Sequence, residues 1–280
     1  TVKDLALAGV SVAFSALPGE EAKQIEPMWV EAGIRVFSNA STYRRKEGVP
    51  LVIPELNPQA LVEQSSGQLR HACATNCTLL PLILPLAALD NAYGLQRYTM
   101  RSEQGLSGGG HAYMEQAIEQ GKVNPSIPGE AEKTEAELNH VLGWSGEASL
   151  RCERIMRLDG HHVFVEARFD SKVSEEDVHE TLSAWSQAHR MNHLPSAPHQ
   201  PLMLTPSIDA SAHLFADGNG FPQSPNPATE RAAGMAVVVA NLQCPNQNTV
   251  SFEAFSHNTI RGAAGGVLLL AELAHIMELL

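Results

Sequence analysis

Hydrophobic and polar positions follow two rhythms along this chain. Residues 9–14, Gly-Val-Ser-Val-Ala-Phe, are small and β-branched and predict a buried strand. Residues 15–19 turn the chain. Residues 20–32 then show helical periodicity, with Gly33 as a C-cap, and residues 34–37 predict a second strand. A strand, helix and strand in this order imply a parallel sheet. Residues 51–54 and 72–76 predict further strands, and residues 78–92 predict a helix. Strict alternation then ends. Strands are predicted over 96–101, 149–157, 163–170, 235–242 and 250–256, and helices over 127–142, 174–187 and 258–280. Proline-rich residues 195–200 and 221–229 predict loops. The expected fold is α/β: an incomplete Rossmann-like parallel-sheet domain plus an α+β catalytic and dimerisation domain. The expected boundaries are 1–77 with 258–280 for the first and 78–257 for the second.

Composition narrows the partners. The 280 residues are 44% hydrophobic and 18% charged, enough for a substantial core. A net charge of -12 argues against nonspecific nucleic-acid or anionic-membrane binding. The longest apolar run, residues 79–89, contains Pro81 and Pro85 and is too short to span a bilayer. The four cysteines, Cys73, Cys77, Cys152 and Cys244, form no Cys-x-x-Cys pair, and sparse thiols point to a reducing cytoplasm. Thr1 in place of Met suggests a fragment or a processed product.

Cys77 stands out, at the start of the helix predicted from residue 78. The positive end of a helix dipole favours a thiolate there, and thiolates attack carbonyl carbons. A lone cysteine is more often a buried structural residue, and Cys73 is read that way. Further along lie an imidazole, His161, suited to acid/base work near neutral pH, and two guanidinium groups, Arg44 and Arg154, suited to bidentate anion binding. His162 adjoins His161, and on a strand only one of the two can face a site. Glu130 and Lys133, three apart on a predicted helix, read in isolation as a surface pair. Asp209, His213 and Asp217 fall at four-residue steps, but Asp-Gly-Asn-Gly reads more simply as a turn than as a metal site. No Gly-x-Gly-x-x-Gly turn follows the first strand, as a dinucleotide-binding unit would require.

Taken together, these segments resemble aspartate-semialdehyde dehydrogenase, nearest its archaeal and fungal branch. The resemblance rests on Phe-Ser-Ala-Leu-Pro at 14–18, Ser-Asn-Ala-Ser-Thr-Tyr-Arg-Arg at 38–45, Val-Pro-Leu-Val-Ile-Pro-Glu-Leu-Asn at 49–57 and Asn-Cys-Thr at 76–78. It continues through Gln-Gly-Leu-Ser-Gly at 104–108, Asp-Gly-His at 159–161 and Asn-Thr-Ile-Arg-Gly-Ala-Ala-Gly-Gly at 258–266. The resemblance implies NADPH-dependent reduction of aspartyl phosphate to aspartate semialdehyde, on the route to lysine, threonine and methionine. It implies that Cys77 forms a thioester, His161 is the acid/base and Gln104 orients the acyl group. Arg154, helped by Glu130, would clamp the substrate carboxylate. Arg44 and Lys133 would hold phosphate, and Asn76 would line the substrate site. Ser15, Ala16, Leu17, Ser38, Asn39, Ser107, Gly108 and Asn258 would touch NADP. A homodimer or tetramer is implied. The family's glycine-rich N-terminal turn is not found here, so weak NADP binding is expected, and Ala74 stands where the family carries a polar residue. The competing readings are a catalytically silent fragment that keeps the dimerisation domain, a related acyl reductase such as malonyl-CoA reductase, and a Cys-His hydrolase.

Overall fold

The computed structural model describes residues 8–66 and 68–280. Two sheets organise it. The smaller is parallel, in the order β1 (Val12–Ser15), β2 (Arg35–Ser38), β3 (His71–Cys73). Helix α1 (Gly19–Glu31) crosses from β1 to β2, and its chain leaves through Gly33 at φ 82°, a left-handed conformation that glycine adopts without strain. The short helix α2 (Ala60–Glu63) precedes β3.

The strand expected over 51–54 reduces to one parallel bridge, Leu51 with Cys73. Pro50 and Pro54 flank it, and proline cannot donate to a ladder. The segment instead closes into a turn: Asn57 accepts the Ile53 N–H at 2.9 Å and donates to the Leu51 carbonyl at 2.9 Å.

Helix α3 (Leu79–Tyr93) runs from the small sheet into the rest of the molecule. Every residue from Leu79 to Leu89 is buried, because α3 is covered on all sides. At about 1.5–3 kcal/mol per large apolar side chain, this helix anchors the main core. No helix among the described residues is long and apolar enough to cross a membrane.

After α3 come β4 (Leu95–Gln104), α4 (His111–Gln120), α5 (Glu130–Leu142), β5 (Glu147–Arg154), β6 (His161–Phe169) and α6 (Glu175–Ala188). Then follow β7 (Leu202–Leu204), β8 (Val237–Asn246), β9 (Thr249–Ser256) and α7 (Gly265–Ile276). The six strands form one mixed sheet, β5-β4-β6-β9-β8-β7. One face, with Tyr98, Met100, Val163, Val165, Phe252 and Ala254, is buried in the main core with α3. The opposite face is polar and open.

Helix α7 returns to the small sheet, where Val267, Leu270 and Ala274 join Phe37, Leu61 and Ala72 in a second core. The single helix expected over 258–280 is therefore two pieces: a π-turn at Ile260–Ala264 and then α7. Helix α4 and strand β7 were not apparent from periodicity, since α4 buries only Ala117 and β7 has three residues.

Candidate active site

Strand register assembles half of the site. Gln104 pairs with Arg154 across the parallel β4–β5 ladder and with His161 across the antiparallel β4–β6 ladder. His161 in turn pairs with Ser256 on β9. Four residues far apart in sequence therefore stand in one row at the end of the sheet, on its covered face. His162 points the other way, 2.9 Å from Glu253, as strand alternation predicts.

The other half is the turn that leads into α3. Asn76 accepts the Leu79 N–H at 2.9 Å through its side-chain oxygen, while its own N–H donates to Glu137 at 2.6 Å. Thr78 donates to Glu130 at 3.1 Å. Glu130 and Glu137 both lie on α5, seven residues apart on one helical face. This brings Cys77 Sγ to 3.2 Å from His161 Nε2.

Burial disfavours the charged form of both members of that pair. Burial pushes the Cys77 thiol up to about 11; Glu130 adds to the rise, and Arg44 and Arg154 oppose it. The helix-start expectation of an intrinsic thiolate is thus overturned by desolvation. Burial also pushes His161 down to about 3, against the Gly160 carbonyl, which favours the protonated ring. His161 Nδ1 lies 3.3 Å from the Gly105 N–H. With its proton on Nδ1, the ring offers Nε2 as a base to the thiol. With Nδ1 accepting from Gly105, Nε2 carries the proton and acts as an acid.

The remaining expected residues take different places. Arg154 is buried, donates to the Gly105 carbonyl at 2.6 Å and lies over the Tyr113 ring at 5.8 Å. Gly108 belongs here too, because a β-carbon on it would stand 2.7 Å from the Arg154 guanidinium and 3.1 Å from His161 Nε2. Glu130 binds Lys133 at 2.8 Å, and although burial alone would raise its pKa, this partner and Thr78 hold it below the usual carboxylate range. Arg44 pairs with Glu137 at 3.0 Å and donates to the Asn39 carbonyl at 2.6 Å, fastening the small sheet to α5. Asp209 and Asp217 accept backbone N–H groups of their own turns.

Several residues of the site were not singled out from sequence: Glu137, Thr78, Gly105, Tyr113, Gly160 and Gly262. The polar stripe Glu130, Thr134, Glu137 on an otherwise amphipathic helix was the available signal for Glu137.

Comparison with known proteins gives the family. A family described as "Semialdehyde dehydrogenase, NAD binding domain" matches residues 1–64. The aspartate-semialdehyde dehydrogenase of Archaeoglobus fulgidus is 34% identical, over 94% of this chain and 76% of that protein. The chain belongs to the aspartate-semialdehyde dehydrogenase family. The Methanothermobacter thermautotrophicus member is 33% identical, over 96% of this chain and 78% of its own length. Among solved structures, aspartate semialdehyde dehydrogenase with NADP from Candida albicans has a TM-score of 0.76 at 28% identity, covering 96% of this chain and 79% of that one.

The residues at the ends of β1 and β2 fit a nicotinamide cofactor, as the family suggests. Ser15 and Asn39 stand at the carboxyl ends of parallel strands, where α/β sheets take ligands, and Asn39 Oδ1 is buried without a hydrogen-bond partner among the described residues. Ser38 is committed to Glu26 at 2.6 Å, while Ala16 is exposed and Leu17 half-buried at the turn before α1. Asn258 accepts the Gly160 N–H at 2.7 Å and donates to Ser107 at 2.9 Å, joining the turn after β9 to the loop after β4.

Proposed function

We propose that this protein reduces L-4-aspartyl phosphate to L-aspartate 4-semialdehyde and phosphate with NADPH, through a thioester on Cys77. The observation that carries this reading is the Cys77–His161 contact of 3.2 Å, beside Gln104 and Arg154 in one strand row. As Cys77 Sγ adds to the acyl carbon, its proton passes to His161 Nε2. The bond from the acyl carbon to the phosphate oxygen then breaks and phosphate leaves. NADPH, when bound, supplies the hydride. His161 Nε2–H returns the proton as the carbon–sulfur bond of the reduced adduct breaks.

Arg154 clamps the substrate carboxylate with Glu130 nearby, and Gln104 orients the acyl group. Asn76 Nδ2, buried without a partner among the described residues, would donate to a substrate oxygen. Arg44 and Lys133 hold the phosphate; each already pairs with a glutamate, Glu137 and Glu130, and the Lys133 side chain is 41% exposed. Residues 1–77 with 258–280 form the cofactor unit and residues 78–257 the catalytic unit. The docking of α7 onto the small sheet supports that division.

The protein acts in the cytoplasm, on the way to lysine, threonine and methionine, and assembles as a homodimer or a dimer of dimers. The open face of the six-stranded sheet supports self-association: Arg101, Arg151, Phe164, Glu166 and Glu253 line a hollow of about 510 Å³ there, with charges of both signs.

The test runs the reaction backwards. Aspartate semialdehyde, inorganic phosphate and NADP are mixed, and NADPH absorbance is followed. Formation that needs all three is the expected result. Turnover that persists without phosphate would overturn the acyl-phosphate reading, and a preference for malonyl-CoA would move the protein to its acyl-CoA-reducing relatives.

A further inference from the structure

The π-turn Ile260–Ala264 touches the nucleophile directly. Its bonds run five residues back, from the Gly262 N–H to the His257 carbonyl and from the Ala264 N–H to the Thr259 carbonyl, both 3.1 Å. Such widened turns recur at functional sites. A β-carbon on Gly262 would stand 2.4 Å from Cys77 Cβ and 2.7 Å from Cys77 Cα, so the turn's backbone lies flush against Cys77.

The neighbouring residue, Arg261, is 2% exposed, and its Nη2 donates to both Glu55 oxygens at 2.7 Å. Its Nε and Nη1 are buried without partners among the described residues. A guanidinium so desolvated is held by its carboxylate alone. Glu55 belongs to the turn that is bonded to β3: the Val52 N–H donates to the Cys73 carbonyl at 3.0 Å and the Cys73 N–H to the Pro50 carbonyl at 2.8 Å. Strand β3 runs straight into Asn76-Cys77. The ion pair therefore closes a ring through β3, Cys77, Gly262 and Arg261. At the start of the same turn, Asn258 holds the Gly160 N–H next to His161.

We infer that the buried Glu55–Arg261 pair is a positioning device, which presses the π-turn onto Cys77 and sets the distance and solvent access of the thiol relative to His161. The pair touches neither reacting atom and works through Gly262. This inference rests on Cys77 being the reactive thiol, but it can be read without substrate or cofactor.

The test is the pH profile of Cys77 alkylation by iodoacetamide, followed by mass spectrometry of the Cys77 peptide. The charged groups around the thiol are Glu130, Arg44 and Arg154, with His161 in contact, and none is altered by the variants used. In Arg261→Lys and in Glu55→Gln, release of the π-turn should admit water. The thiol's apparent pKa should then fall towards the ordinary value, with alkylation at pH 8 rising about ten-fold for each unit. The double variant should show no more than either single one. Folded variants with the unchanged profile would overturn the inference, as would strictly additive shifts. If Glu55→Gln does not fold, Glu55→Asp, which keeps the charge but draws it back, carries the same test. A shifted profile in a protein that lacks dehydrogenase activity would uphold the positioning pair and reject the proposed reaction.

Discussion

The two walls of the site are built by different physics. The wall carrying Arg154, Gln104 and His161 is a row of strand ends, placed by backbone ladders that extend through the whole six-stranded sheet. The wall carrying Cys77 is a turn, placed by side chains: Glu137 on the Asn76 N–H, Asn76 on the Leu79 N–H, Glu130 on Thr78, and Gly262 against Cys77 itself. A side chain on the first wall can be replaced without moving its neighbours, because the ladder does not depend on it. On the second wall, a change of one side chain moves the nucleophile. The first wall therefore carries chemistry that can be adjusted residue by residue, while the second carries the geometry.

The largest expected effect removes the reacting atom. Cys77→Ala should abolish phosphate-dependent NADPH formation while leaving the melting curve nearly unchanged, and surviving activity would unseat Cys77. Next comes the strut of the turn wall. Glu137→Ala leaves Arg44 buried without its carboxylate and the Asn76 N–H without its acceptor, so a loss of about 3–5 kcal/mol in urea unfolding is expected. A loss below about 1 kcal/mol would mean that the turn is held by other contacts.

On the sheet wall, Arg154→Lys should raise KM for aspartate semialdehyde about ten-fold, because an ammonium loses the two-pronged hold worth roughly one charge-assisted hydrogen bond. An unchanged KM would take Arg154 out of the clamp. A smaller effect concerns acid stability. His161 is held neutral by burial, down to about 3 from its usual 6.5. The resulting stability is present above the unfolded pKa and is lost as pH falls through the window between these values. His161→Gln should flatten that part of the stability-versus-pH curve, and an unaltered acid limb would contradict a buried neutral imidazole. Smallest of all, His162→Gln, on the opposite face, should leave kcat and KM within about two-fold.

The site's chemical inventory was legible from residue types and spacing: the thiol before a helix, the imidazole at a strand start, the guanidinium and the amide. So was the strand–helix–strand opening, because residues 9–14 and 34–37 are mostly apolar with β-branched members and residues 20–32 have helical periodicity. Strand β1 is nonetheless an edge strand among the described residues, and it leaves Phe14 exposed rather than buried. Residues 51–54 misled because an apolar run records burial but not ladder pairing, and the flanking prolines permit only one bridge. The final helix misled because the π-turn has helical composition and differs only in its bond spacing.

The turn wall could not be read in advance, because it depends on contacts across long stretches of chain. Nothing local marks Arg44 as a partner of Glu137; that contact is made by α5 packing against the small sheet. The thiol shows the same division. Its place before α3 follows from local pattern and argues for a lowered pKa, yet desolvation by the assembled walls raises it to about 11. Local sequence chose which reactive groups exist and on which elements they sit, since periodicity and residue chemistry are properties of neighbours along the chain. Tertiary packing chose which of those groups meet, which are neutralised and how dry they are, since burial and pairing depend on residues far apart in sequence.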